Sequence, residues 1–395
     1  MNYHAKTPGE ETFATLRDQK PLPIKSVVPL RLALPRLERG YKKKAAHMSQ
    51  ESEILIVGAG IAGLLAAQTL VQAGRRVTVV DKGRSVGGRL ATRRVGPGVA
   101  DHGAQFFTVR TPAFAAQVER WEAAGLVFRW ANGWSNGSIA GPVEDGHPRY
   151  AAQGGMNRLA KALAAELTAH GAALALNVRL TALMTDAGQW HAHDDQGRTF
   201  AAGTVILTPP VPQSLALLDA GGVTLPAHQR SALAAVRYAP CLCGMAWVEG
   251  ALQLPEPGAV QRQAAPIAWV ADNRRKGISP AAQVITLHAN PVWSAAHYDD
   301  SDEQVAGVFA AELKRWACGE YAVQEMQVKR WRYALPTALY PEPFLRGEGL
   351  PPLYCGGDAF ATPRIEGAAL SGMAIAAHIN GAAPSPQTES MHDGQ

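Results

Sequence analysis

Apolar and polar positions alternate in blocks that change period along the chain. The first block is Ile54-Leu55-Ile56-Val57, an unbroken apolar run of strand length that suits a strand buried on both faces. Leu64, Ala67, Leu70 and Val71 then recur at helical spacing and predict a helix from Ile61 to about Ala73, with Gly74 as its stop. A second apolar run, Val77 to Val80, closes on Asp81 and predicts a parallel strand. Strand, helix and strand in this order open an α/β fold.

Helical spacing returns at Met156 to His170, with Leu159, Leu163 and Leu167 on one face and Gly171 at the end. A strand pair follows, Ala173 to Leu183 and Gln189 to Asp194, turning at Asp186-Ala187-Gly188. The run Thr204 to Thr208 ends in Pro209-Pro210, as a parallel strand does when it enters a loop. From about Tyr238 to Tyr333 the texture is that of alternating strands: Cys241 to Glu249, Ile267 to Ala271, Val284 to Asn290 and Val323 to Trp331. One helix interrupts them, carrying Val305, Phe309, Leu313 and Trp316. Such a sheet suits a platform for substrate. The strand Leu353 to Gly356 and a last helix, roughly Ala368 to Asn380, return to the first texture, and no internal repeat is visible.

The 395 residues suffice for two domains, and 47% hydrophobic with 18% charged content fits a globular enzyme. A net charge of +5 and a pI near 9.0 raise the question of nucleic acid. Of the 38 basic and 33 acidic residues, ten and four fall in residues 1–47, which leaves 28 and 29 for the remainder. The body is therefore not basic, and a nucleic-acid partner is not expected. The proline-rich first 49 residues lack periodicity and are expected to be disordered. They read as either an upstream start ahead of Met48 or a targeting extension. No apolar run is long enough to span a membrane, and four cysteines without metal-type spacing predict no disulfide framework, no metal and a cytoplasmic setting.

The chemistry begins at Gly58-Ala59-Gly60-Ile61-Ala62-Gly63, placed between the first strand and its helix. Gly58 makes the tight turn, Gly60 admits a pyrophosphate against backbone, and Gly63 lets helix and strand pack closely. The helix start offers free amides to the anion, and Asp81 accepts ribose hydroxyls. Near the other end Gly356-Gly357-Asp358 follows the late strand. Between them, Ser85-Val86-Gly87-Gly88-Arg89 is either a second diphosphate loop or a polar surface turn.

That glycine pair, taken with Ala100 to Thr108, resembles the FAD-dependent amine oxidase superfamily. Along residues 53–380 the chain resembles its renalase branch, through Asp101 to Arg110, Gln153 to Met156, Val205 to Gln213, Asp272 to Lys276, Leu287 to Ala289, Arg330 to Tyr333 and Cys355 to Asp358. Departures are Gly154, where relatives often have proline, and Ala359, small where bacterial relatives often carry a bulky residue. The resemblance implies a discontinuous Rossmann-type FAD-binding domain, like that of p-hydroxybenzoate hydroxylase, with a second, mostly antiparallel substrate domain. We expect the FAD domain at 50–112, 150–222 and 338–382, the substrate domain at 113–149 and 223–337, and a disordered tail at 383–395.

It also implies non-covalent FAD held by Ile61, Ala62, Asp81, Lys82, Gly88, Arg89, Gln105, Phe106, Leu180, Gly357, Asp358, Ile365 and Gly367, besides the three signature glycines. Leu180 meets adenine through its backbone, Asp358 suits a ribityl hydroxyl, and the helix after Gly367 points its positive end at flavin N1 and O2. The implied reaction is oxidation of 2- and 6-dihydro isomers of NAD(P)H to NAD(P)+, with hydride passing to flavin N5 and dioxygen becoming hydrogen peroxide. It needs positioning more than acid or base work, so no acid-base residue is assigned. Candidates for the substrate are Phe106, Phe107, Thr108, Arg110, Tyr150, Asn273, His288, Trp331 and Ala359, with Phe106 and Trp331 stacking, Asn273 reading the carboxamide and Arg110 meeting phosphate. Each has a plain alternative as core aromatic, surface charge or structural histidine. His102 and His147 read as ordinary loop histidines.

Two other functions stay open. Amine oxidases of the superfamily often place a lysine toward the flavin from the strand matching Cys241 to Glu249, which has none, but amine oxidation or a related desaturation is not removed by that. A flavin-binding module without turnover is the alternative of a different class.

Overall fold

The computed structural model describes residues 49–137 and 142–381; the expected N-terminal extension up to residue 48 and the C-terminal tail lie outside them. The chain opens with β1 (Ser49–Val57), α1 (Ile61–Gln72), β2 (Val77–Val80), β3 (Thr92–Val95), β4 (Gly98–Asp101) and α2 (Pro112–Ala123). It continues through β5 (Val127–Ser135), β6 (Pro142–Ala152), α3 (Met156–Ala169), β7 (Ala173–Ala175), β8 (Leu180–Asp186), β9 (Gln189–Asp194), β10 (Thr199–Leu207), α4 (Val211–Ala220) and α5 (Ala227–Ala234). After these come β11 (Arg237–Leu252), β12 (Ala259–Gln261), β13 (Ile267–Asp272), β14 (Gln283–Ala289), α6 (Pro291–Ala296) and α7 (Asp302–Leu313). The last are β15 (Ala317–Ala338), β16 (Phe344–Arg346), β17 (Leu353–Gly356) and α8 (Arg364–Ile379).

Two large sheets divide the molecule. The first runs β16-β17-β10-β1-β2-β7, with the β8–β9 hairpin attached to β10. Its centre is parallel: β1 lies between β10 and β2, and β17 continues beyond β10. Ile54, Leu55 and Ile56 are fully buried there, as expected of a strand covered on both faces. Helices α1, α3 and α8 share one core with this sheet. At the α1–α8 crossing a Cβ on Gly372 would stand 2.1 Å from the Ala62 carbonyl oxygen, so only glycine permits the approach.

The second sheet runs β15-β11-β14-β13-β12-β5-β6, and all its pairings are antiparallel except the contact of β12 with β5. The α/β architecture with a mostly antiparallel second sheet is the one expected.

Several elements differ from their predicted form. The strand expected over Ala173 to Leu183 is two: β7 pairs with β2, whereas β8 pairs with β9. The chain breaks between them at Asn177, whose φ of 55° is left-handed, and Val178 donates its N–H to the Asp81 carbonyl. The last helix begins at Arg364, so Gly367 lies in its first turn and not ahead of it. His147 sits on strand β6, not in a loop. The β3–β4 and β5–β6 pairs carry no clean alternation in sequence and were not predicted.

Candidate active site

The first strand–helix turn is built as its glycines require. Gly58 adopts φ +105°, and a Cβ on Gly63 would lie 2.0 Å from the Gly58 carbonyl oxygen. Gly60, by contrast, faces open space, with nothing within 4 Å of a Cβ there. The Ser85–Arg89 loop is folded onto this turn: Gly87 donates its N–H to the Ala59 carbonyl at 2.8 Å, and Asn157 holds the Val86 and Leu90 carbonyls from α3. Between the two readings of that loop, the structure puts it at the glycine turn.

A cavity of about 1520 Å³ runs from these glycines to the face of the second sheet. This exceeds the few hundred to ~1,000 Å³ typical of a drug-sized ligand. Gly58, Gly60, Ile61, Ala62, Asp81, Lys82, Gly88, Arg89, Leu180, Gly357, Asp358 and Ile365 all line it, with His288 and Trp331 at the far end. Helices α1 and α8 both present their N-termini to it, so two positive dipole ends meet one space. The approach to α8 is left-handed at Ala361 (φ 55°) and Arg364 (φ 78°), conformations that tertiary packing must hold.

Charges at this end are paired with geometry that leaves acceptors available. Asp81 accepts the N–H groups of Ala59 (2.7 Å) and Gly83 (2.6 Å), and a carboxylate with two oxygens can still take a ribose hydroxyl. Arg89 forms a two-pronged bond to Asp358, both at 2.6 Å, and donates to the Tyr333 carbonyl. Lys82 reaches Gln213 at 3.0 Å, and burial followed by nearby Arg179 pulls its pKa below the usual lysine value. The buried Gln105 donates to the Asp101 and Gly103 carbonyls while its Oε1 has no partner. Gln105 lies off the cavity wall, whereas the open Gly60 and the two helix starts fit an extended dinucleotide cofactor.

The far half is walled by Gln261, Gln263, His288, Lys329, Trp331 and Arg332, with His102 beside them. His102 is not an ordinary loop histidine: it stacks on Trp331 at 5.3 Å, and its carbonyl accepts the Trp331 indole N–H at 2.8 Å. Burial, then the charges of Arg93 and Lys329, push its pKa down to about 3. His288 is lowered to about 4, mainly by burial, against a raising hydrogen bond to the His102 backbone. Both rings are therefore neutral at ordinary pH, and each keeps one nitrogen unpartnered, Nδ1 of His102 and Nε2 of His288.

The other sequence candidates lie off the cavity wall. Asn273 is fully buried; its amide donates to Val284 O and Thr286 Oγ1 and accepts from Asp101 N. Its hydrogen bonds are spent within the protein, so the carboxamide-reading role moves to other groups. Phe107 and Tyr150 stack at 5.5 Å inside the α2 core, and Phe106 packs on Trp134 and Trp269. Arg110 is exposed and gives only its backbone N–H to Glu366, Thr108 is half-buried nearby, and Ala359 is enclosed beside Phe360. Gly63 and Gly367 serve packing, the latter because a Cβ would meet Thr362 O at 1.8 Å.

Lys329 was missed as a cavity-lining residue, although a signal existed: period-two alternation on a strand puts Lys329, Trp331 and Tyr333 on one face. Register places Lys329 opposite Cys243 and Trp331 opposite Cys241, so a lysine reaches the cavity from β15 where β11 offers none.

A cavity of this size between a parallel sheet with a glycine turn and an antiparallel platform suits a flavin-dependent oxidoreductase, and the likeness to known proteins bears that class out. The chain belongs to the flavin containing amine oxidoreductase family, whose model matches residues 122–380, and residues 56–120 match an NAD(P)-binding Rossmann-like domain. It is 24% identical to renalase of Mus musculus over 350 residues, covering 82% of this chain and 97% of that protein. Among solved structures it is similar to putrescine oxidase bound to putrescine (TM-score 0.61, 16% identity, 84% of this chain and 100% of that one). It is also similar to a fatty acid isomerase from P. acnes (TM-score 0.59, 12% identity, 83% and 98%). The cofactor is accordingly FAD. Among the described residues no helix is long and apolar enough to cross a membrane.

Proposed function

We propose that this protein is a renalase-like oxidase that converts 2- and 6-dihydro isomers of NAD(P)H to NAD(P)+, while dioxygen takes up two electrons and two protons to give hydrogen peroxide. Bound FAD supplies the electron sink, accepting the hydride and passing its electrons to dioxygen. The chain's own part is to bind and orient. Gly60 and the α1 start hold diphosphate, Asp81 the ribose, and Asp358 with the α8 start the flavin end. Trp331 offers a face for stacking, and neutral His288 and His102 offer hydrogen bonds without adding charge beside the pyridinium that forms.

One observation carries the reading. Only Asp81 and Asp358 among the cavity-lining residues are acidic, and both belong to the FAD half, so the substrate half holds cations and neutral amides. An ammonium substrate finds no counter-charge there, whereas a phosphate-bearing dihydropyridine does. The family model and the likeness to putrescine oxidase support amine oxidation as a second reading. We further assign residues 50–112, 150–222 and 338–382 to the FAD domain and 113–149 with 223–337 to the substrate domain.

The test is anaerobic. Purified FAD-loaded protein is mixed with base-generated NADH isomers, with ordinary NADH, and with benzylamine or putrescine. Rapid flavin bleaching by the isomers alone, with stoichiometric peroxide on admitting air, is the expected result. Bleaching by amines alone would overturn it, and no bleaching by any of them would mark a binding module.

A further inference from the structure

We propose that Asn273, Lys276 and Thr286 are positioning residues for the reaction: acting through segment 101–105, they fix where His102 and Trp331 stand against the flavin end of the cavity. None of the three lines the cavity. All three are buried, come from β14 and the turn before it, and bond Asp101 or Gln105. Asn273 Oδ1 accepts the Asp101 N–H at 3.2 Å, and its amide donates to Thr286 Oγ1 at 2.9 Å. Thr286 in turn donates to the Asp101 carbonyl at 2.8 Å. Lys276 reaches Asp101 Oδ2 at 2.6 Å and, at the other end of the segment, the Gln105 carbonyl at 2.5 Å. The substrate sheet thus holds both ends of this stretch, and buried bonds that satisfy one another hold a single geometry.

The middle of the stretch meets both halves of the site, since His102, Gly103 and Ala104 do line the cavity. Toward the cofactor end the Ala104 N–H donates to the Arg89 carbonyl at 2.9 Å, and a Cβ on Gly103 would stand 2.0 Å from that same oxygen. No slack remains between the stretch and the loop whose arginine pairs with Asp358. Toward the substrate end His102 stacks on Trp331 at 5.3 Å with the ring planes 20° apart, and its carbonyl accepts the Trp331 indole N–H at 2.8 Å. His288 bonds the same backbone. A ring contact and a hydrogen bond from one residue leave the indole a single orientation, so whatever fixes the Asp101 and His102 backbone fixes the stacking face. Asn273 therefore serves the ligand at one remove, its amide spent on Asp101, Thr286 and Val284.

The kinetic arm of the test rests on the oxidase reading, and a second arm does not. Thr286→Val keeps the shape of the side chain and removes only the hydroxyl that ties β14 to the Asp101 carbonyl. In FAD-loaded protein its limiting rate of anaerobic flavin bleaching by the NADH isomers is expected to fall about tenfold, a fraction of the ~100-fold that a misplacement of about 1 Å can cost. The isomer concentration at half the limiting rate should change little, and Thr286→Ser should restore most of the rate. In a Trp331→Phe background Thr286→Val should cost little more, because the group it positions is gone. Fluorine NMR of protein labelled with 5-fluorotryptophan reads the indole directly. The Trp331 signal, assigned by its absence from Trp331→Phe, should shift in Thr286→Val and return in Thr286→Ser. Asn273→Ala removes the acceptor of the Asp101 N–H and takes the place of Thr286→Val in both arms if the latter does not retain FAD. An unmoved Trp331 signal, an unchanged bleaching rate, or a rate loss that adds in full to that of Trp331→Phe would overturn the proposal. If no isomer bleaches the flavin even in the wild type, the oxidase reading fails by itself, and the fluorine signal alone decides whether the clamp holds Trp331.

Discussion

Lys276 offers a quantitative test of how the β3–β4 hairpin is held to the substrate sheet. Its side chain is fully buried, as is that of Asp101, and Nζ meets Asp101 Oδ2 at 2.6 Å. A second bond runs to the Gln105 carbonyl at 2.5 Å, and the Trp130 ring lies 4.9 Å away, so the ammonium is enclosed on all sides. Asp101 is committed as well: Oδ1 accepts Thr92 Oγ1 at 2.5 Å and the Met156 N–H at 2.8 Å. Burial lowers the lysine's pKa, and Asp101 acts against that shift. Replacing Lys276 with methionine keeps the stem but leaves a buried carboxylate without its counter-charge, which costs about 3–5 kcal/mol. For a folded unit of roughly 330 residues that corresponds to a melting point about 4–7 °C lower. Urea midpoints for Lys276→Met, Asp101→Asn and the pair, measured at several pH values, give the coupling energy. A Lys276→Met protein within about 1 kcal/mol of wild type would refute the claim that this ion pair holds segment 101–105 against the substrate sheet.

Three further outcomes follow from the same geometry. Gly63→Ala must push a methyl into the Gly58 carbonyl and should cost about 1–3 kcal/mol of stability, whereas Gly60→Ala, facing open space, should stay within about 1 kcal/mol and lose FAD on gel filtration. His102 (about 3) and His288 (about 4) have folded pKa values below the ordinary 6.5, so the unfolded chain binds protons first. Their contribution is complete above about pH 6.5 and is lost as pH falls toward 4; denaturation midpoints should show this, with a flatter profile in His288→Asn. Cys318 is exposed, while burial pushes Cys241 and Cys355 up to about 12 and raises Cys243 well above the usual thiol value. A thiol reagent should therefore label Cys318 alone in the first minutes, as peptide mapping would reveal.

What could be read in advance follows the range of the interaction concerned. The β1–α1–β2 unit rests on apolar runs and glycines within thirty residues of one another, and it stands where the pattern put it, with Asp81 turned back onto the Ala59 N–H. Asn273 defeated the same reasoning because its partners, Val284, Thr286 and Asp101, are distant in sequence, and an amide satisfied by the fold looks in sequence like one reserved for a ligand. His102 failed in the opposite direction. A histidine between Asp101 and Gly103 gives no periodic signal, yet the β4 end and Trp331 on β15 bring it to the cavity wall. Lys329 shows where the boundary lies. Its face was decidable from alternation with Trp331, but the importance of that face depended on β15 pairing with β11 through Lys329 and Cys243, a register that no local pattern encodes. Chemistry placed by turns and helix starts was thus legible, and chemistry placed by strand register became visible only when the sheets were assembled.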